Sequence, residues 1–172
     1  EDERRFILAL EEAGAALRRL HDSNVELDRS WTIDDELSQL ERRTTQRAGA
    51  AVSALLALGA PAEGVLVSSH RDCHLAQAIS GPDGFRWIDL DDSAMAPAAL
   101  DLGNLLAHLR RDALIGARSQ SVVDAGVAAL RSGYGEAPAG TEHWEWLSLA
   151  RLACLAERRH RRTDWADAIL LL

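Results

Sequence analysis

The run His70-Arg71-Asp72-Cys73-His74-Leu75-Ala76-Gln77, followed by Trp87-Ile88-Asp89, sets out three polar side chains in a suggestive order. A carboxylate sits in a loop, an amide follows it, and a second carboxylate ends a short apolar strand. Transfer of a phosphoryl group from a nucleotide needs a group to orient the attacking hydroxyl and oxygen ligands for magnesium. Asp72 is the candidate for the first task; Gln77 and Asp89 are candidates for the second. Segments 76–80 and 85–89 flank Gly81-Pro82-Asp83-Gly84, a strong turn with Pro second and Gly fourth. Folding that hairpin puts Gln77 opposite Asp89 or one residue from it. Facing positions across an antiparallel pair lie about 5 Å apart, close enough for two side-chain oxygens to share a cation. Asp72 falls near the same open end.

The elements that must hold this constellation are mostly helices. Residues 3–20 carry Phe6, Ile7, Leu10, Ala13, Leu17 and Leu20 at helical spacing, and His21-Asp22-Ser23-Asn24 stops the run. Thr32 or Asp34 can cap a second, longer helix through Leu37, Leu40, Ala48, Val52 and Leu55, ending at Gly59-Ala60-Pro61. Residues 65–67 predict a short buried strand leading into the His70 loop. After the hairpin come a loop over 90–97 and a helix over 98–112. Helices follow near 122–130, 144–159 and 165–172, with a break at Gly133-Tyr134-Gly135. The expected fold class is α+β, mainly α-helical, with one small sheet carrying the polar residues.

Composition narrows the field. A chain of 172 residues, 47% hydrophobic and 27% charged, fits one globular domain or one lobe of a larger protein. A net charge of -8 without a basic stripe argues against nucleic-acid partners, the Arg158 to Arg162 run reading as a solvated helix end. No apolar run approaches a membrane span, and two cysteines make no disulfide framework, so a cytoplasmic setting is expected. All 19 basic residues are arginine. Neither G-x-G-x-x-G nor G-x-x-x-x-G-K-[ST] occurs, and the lysine that usually meets nucleotide phosphates is missing.

These residues resemble the aminoglycoside phosphotransferase and choline kinase-like superfamily, which shares the protein-kinase fold. Its catalytic loop H-x-D-x-x-x-x-N corresponds to His70 to Gln77, and its apolar-apolar-Asp strand end to Trp87-Ile88-Asp89. Its helix-opening Asp corresponds to Asp101 in Ala99-Leu100-Asp101-Leu102-Gly103-Asn104, and its L-x-x-L-H helix end to Leu17 to His21. Gln77 stands where the family has Asn, one methylene longer with the same carbonyl oxygen, as in maltokinase-like relatives. The resemblance implies an ATP-dependent, Mg²⁺-requiring phosphotransferase acting on a hydroxyl of an aminoglycoside, sugar or amino alcohol. Residues 1–172 would be a single domain, the C-terminal catalytic lobe, with the N-terminal nucleotide lobe absent from this chain and supplied by the same protein or a companion chain. Without that lobe, transfer by this chain alone is expected to be slow or nil.

Within that resemblance Asp72 is the catalytic carboxylate, and Gln77 and Asp89 hold the metal. His70 braces the loop, and Asp101 bonds the loop backbone or caps its helix. His74 is a possible substrate contact. Cys73 reads as a small buried hydrophobe, and Trp144, Trp146 and Trp165 read as core. Two other readings compete. A metal-dependent hydrolase would use His70, Asp72, His74 and Asp89, with His108 as a further ligand, because i, i+2, i+4 spacing shares one side of a strand. A non-catalytic relic of the kinase fold would explain the missing lysine.

Overall fold

The computed structural model describes residues 1–58, 64–82, 84–159 and 161–171. Helix α1 (Asp2–His21) buries Phe6, Leu10, Ala13 and Leu17, the stripe expected from their spacing. It lies along α5 (Gln120–Tyr134) at unusually short range. A Cβ at Gly14 would come 2.2 Å from the Leu130 carbonyl oxygen, and one at Gly133 1.9 Å from that of Glu11. Only glycine permits this crossing. The α1 and α5 stripes close over Leu102, Leu105, Leu106 and Leu109 of α4 (Ala98–Leu114) to form the main core.

The long second helix expected over 32–58 is two helices, α2 (Ile33–Arg43) and α3 (Gly49–Ala57). Its expected end at Gly59-Ala60-Pro61 lies outside the described residues. Thr44 and Thr45 make the break. The Thr44 hydroxyl donates to the Leu40 carbonyl at 2.8 Å, and Thr45 Oγ1 accepts the Ala48 amide at 3.2 Å. Short hydroxyl side chains thus take over backbone partners that a continuing helix would need. Thr32, rather than Asp34, caps α2, in a reciprocal box with Asp35.

The strands form two antiparallel pairs rather than one sheet. β2 (Ala78–Gly81) and β3 (Gly84–Trp87) are the expected hairpin, with Ala78 opposite Trp87 and Gly84 at φ 94°. Asp83 of its turn lies outside the described residues. β1 (Leu66–Ser69) pairs with β4 (Ala94–Pro97), a segment expected to be loop. The polarity of β1 also departs from expectation. Val65 is 83% exposed while Ser68 and Ser69 are buried, the Ser69 hydroxyl reaching the Ala96 carbonyl. Pairing with β4, not apolar content, decides which residues turn inward.

Helix α6 (Thr141–Arg158) packs on α4, where a Cβ at Gly103 would meet Trp144 at 2.7 Å. α7 (Thr163–Leu170) closes the far side, its expected last residue, Leu172, lying outside the described set along with His160 of the basic run. Trp144 is core, and Trp146 and Trp165 are half-buried against a separate cluster that includes Leu149, Leu152 and Ile169. Among the described residues no helix is long and apolar enough to cross a membrane.

Candidate active site

The loop between β1 and β2 is fixed from below by α4. Asp101 is fully buried in the first turn of that helix, and its two carboxylate oxygens accept the backbone amides of His70 and Arg71, both at 2.7 Å. One turn on, Asn104 donates its amide to the Cys73 carbonyl at 3.1 Å. Spacing of three along a helix puts both side chains on one face, so α4 clamps the loop at three backbone groups. Hydrogen bonds to a carboxylate are worth about 1.5–3 kcal/mol each, and more is lost if a buried amide is stranded.

Asp101 is itself held by a chain of polar groups. His21 Nε2 lies 3.1 Å from Asp101 Oδ2, and His21 Nδ1 lies 2.8 Å from the Tyr134 hydroxyl. A carboxylate can only accept, so Nε2 carries a proton toward Asp101, and in the neutral imidazole Nδ1 accepts from Tyr134. Burial pushes the Tyr134 phenol up to about 12, which keeps it a donor. The close glycine crossing of α1 and α5 brings these two residues together.

Two non-glycine residues at the site are left-handed, Arg71 (φ 71°) and Asp89 (φ 61°), a conformation costing about 1–2 kcal/mol each. Arg71 is held there by Asp101, by its bond to the Asp92 carbonyl at 2.8 Å, and by stacking 3.6 Å over Trp31. Trp31 arrives because residues 29–31 bond alongside β4: Met95 donates to the Arg29 carbonyl, and Trp31 donates to that of Met95. The left-handed turn of Arg71 aims Asp72 outward, 41% exposed. The His74 imidazole at 3.7 Å and the Arg151 guanidinium at 3.6 Å hold the Asp72 carboxyl well below the usual carboxylate range.

Gln77 and Asp89 do meet. Ile88 donates its amide to the Gln77 carbonyl, so Asp89 sits one residue beyond facing, and the Gln77 amide donates to Asp89 Oδ2 at 2.7 Å. The two stand at the open end of the hairpin, with exposed Ile79 (57%) and Ile88 (38%) beside them. His70 is buried with Nε2 2.8 Å from the Ile88 carbonyl, tying the loop to the strand that ends in Asp89. Cys73 is fully buried, and burial pushes its thiol up, away from reactivity.

His74 stacks on His108, ring centres 4.5 Å apart. Burial above all, with Arg111 next, pushes His108 well below the ordinary imidazole value. The hydrolase cluster does not form: among the described residues no three His, Cys, Asp or Glu side chains converge as metal ligands. His70 is committed to Ile88, and His74 to His108 and Asp72.

Asn104 and Arg151 are the parts of the site that motif reasoning missed. Arg151 Nη2 donates to Asn104 Oδ1 at 2.5 Å while the same guanidinium faces Asp72 and Glu36. Asn104 was findable, one turn from Asp101; an arginine on a later helix carries no local signal. The structure is similar in fold to an amicoumacin kinase solved with AMP-PNP and Ca²⁺ (TM-score 0.67, 12% identity, 95% of this chain and 59% of the other). It is also similar to a glucosamine kinase (0.62, 17%, 98% and 53%) and to a choline/ethanolamine kinase family protein from Mesorhizobium loti (0.56, 15%, 100% and 70%). The chain thus spans little more than half the length of the first two. None of the curated proteins matches it in sequence. Residues 7–150 match the phosphotransferase enzyme family, and the chain belongs to it.

Proposed function

We propose that the chain is the C-terminal lobe of an ATP-dependent phosphotransferase acting on a hydroxyl of a small molecule, with a nucleotide lobe in the same protein or a companion chain. The observation that carries the reading is the Gln77–Asp89 pair at 2.7 Å, at the mouth of the hairpin that His70 ties to the Asp72 loop. The exposure of Ile79 and Ile88 beside that pair supports a covering by the nucleotide and the lobe that binds it.

The donor set suits magnesium, a hard cation that takes one or two protein oxygens and completes its shell with phosphates and water. Asp89 would supply one oxygen and Gln77 the other. The Gln77 amide now points its nitrogen at Asp89, and turning it about a soft terminal torsion presents the carbonyl instead. Bound there, the ion would neutralise phosphate charge during transfer.

Asp72 accepts the hydrogen bond of the acceptor hydroxyl and aims its oxygen at the phosphorus. With its carboxyl held low, it is a weak base, suited to orienting the hydroxyl and taking the proton late. Asp101, Asn104 and His70 fix the loop, and Arg151 fixes the Asp72 carboxylate. The test is a transfer assay on the full protein with ATP and Mg²⁺. Asp72→Asn should abolish turnover while sparing nucleotide binding, and Asp89→Ala should weaken Mg²⁺-nucleotide binding as well. Undiminished turnover in Asp72→Asn would end the assignment.

A further inference from the structure

Beside Asp72 opens a cavity of about 280 Å³, at the small end for ligand pockets, between facing sides of α2 and α6. Glu36, Gln39 and Arg43 come from α2; Arg151 and Leu155 come from α6, and Arg159, four residues on, caps its C-terminal end. Five arginines line it: Arg29, Arg43, Arg71, Arg151 and Arg159. Against them stand three carboxylates, Glu36, Asp72 and Asp92, a surplus of two positive charges in a chain of net charge -8. Glu142, Glu145 and Glu157 of α6 do not line it, Glu145 being paired with Arg110 at 2.6 Å.

The positive charge is under-compensated. Among the described residues no carboxylate lies within 4 Å of Arg29, Arg43, Arg71 or Arg159. Glu36 is taken by the Trp31 indole at 3.0 Å and by Arg151. The buried Nε groups of Arg71 and Arg151 have no hydrogen-bond partner. Burial lowers the Arg43 and Arg71 guanidiniums, and Arg151 adds repulsion to both. Arg43 and Arg159 also border a neighbouring cavity of about 400 Å³ that adds Arg158, so the basic wall runs on away from Asp72.

We infer that the acceptor carries an oxyanion, phosphate or carboxylate, which this arginine wall binds while its hydroxyl lies at Asp72. Planar guanidinium forks match both groups in pairs of parallel hydrogen bonds. The inference rests on the reading of Asp72 as the hydroxyl-orienting residue, and it sets the acceptor apart from amine-bearing sugars and amino alcohols, which the same wall repels.

Binding to the full protein is measured by calorimetry for inorganic phosphate, glucose 6-phosphate, gluconate, glucose and glucosamine, followed by transfer assays with the last four. The anions should bind and glucosamine should not. The Arg43→Gln/Arg159→Gln protein should bind phosphate about tenfold or more weakly, at unchanged KM for ATP, while Arg159→Lys, which keeps the charge and loses the planar fork, should fall between it and the parent. Melting temperatures confirm that the variants fold, and Arg159→Gln alone, at an exposed position, serves if the double variant does not. Glucosamine outbinding glucose 6-phosphate, phosphate affinity unchanged in the variants, or KM for ATP rising in place of that for the acceptor would overturn the inference. Binding needs neither nucleotide nor transfer. A failed phosphotransferase reading, seen as turnover surviving Asp72→Asn, is therefore told apart from a failed anion site.

Discussion

Replacing Asp101 with Asn tests the clamp under the Asp72 loop. The carboxylate accepts the His70 and Arg71 amides at 2.7 Å and the His21 imidazole at 3.1 Å. An amide has one oxygen. Left at the Oδ2 position, that oxygen still serves His70 and His21, while its nitrogen meets the Arg71 N–H donor to donor. One charge-assisted bond in a fully buried setting is lost, about 1.5–3 kcal/mol. For a chain of this size each kcal/mol lowers the melting temperature by roughly 2–4 °C, so a fall of about 3–12 °C is expected. The functional effect should exceed the thermal one. The bond to Asp101 helps hold Arg71 at φ 71°; without it, that residue can relax and carry Asp72 with it. A displacement of about 1 Å costs about 10²-fold in turnover. Circular dichroism melts and transfer kinetics on the same preparation give both numbers. A melting temperature within a degree of the parent, with turnover intact, would refute the clamp.

Gly133→Ala sets helix propensity, which favours Ala by about 1 kcal/mol, against a backbone oxygen 1.9 Å from the new Cβ. The clash should win by about 2 kcal/mol or more, and an unchanged denaturation midpoint would contradict the close crossing. Tyr134 is the sole tyrosine, so absorbance near 295 nm reads its ionisation directly, with a midpoint near 12 expected in the folded protein. Because the folded value is raised, its contribution to stability is complete below about pH 10 and is lost as pH climbs toward 12; a midpoint at the ordinary value of about 10 would contradict this. For Asp72 the sign reverses. Its lowered value gives stability that is present above roughly pH 4 and lost as pH falls further. In His74→Asn, carbon-detected NMR should find the Asp72 titration moved upward, toward the ordinary carboxylate value.

What could be read from the chain followed the range of the interactions. The hairpin was legible because Gly81-Pro82 and Gly84 dictate the turn locally, and the turn fixes that Gln77 and Asp89 approach. Asp101 was legible as one position in a pattern. The Thr44-Thr45 break escaped because Leu40, Ala48 and Val52 keep an apolar phase across it, while the interruption comes from hydroxyl bonds. The β1–β4 pair escaped because partners such as Leu66 and Pro97 lie far apart in sequence, and buried serines hide its inward face. The arginine wall is legible only in three dimensions, since Arg159 reads alone as part of a solvated helix end and Arg43 as one residue inside a long helix.

The brace His21–Asp101 joins residues 80 apart, and His21–Tyr134 joins residues 113 apart. A loop of eight residues therefore owes its shape to contacts that close only once the first helix and the fifth have both docked. Partly folded species can hold the hairpin but not an ordered Asp72 loop. The His70 and Arg71 amides should accordingly exchange with deuterium only through whole-molecule opening, among the slowest in the protein.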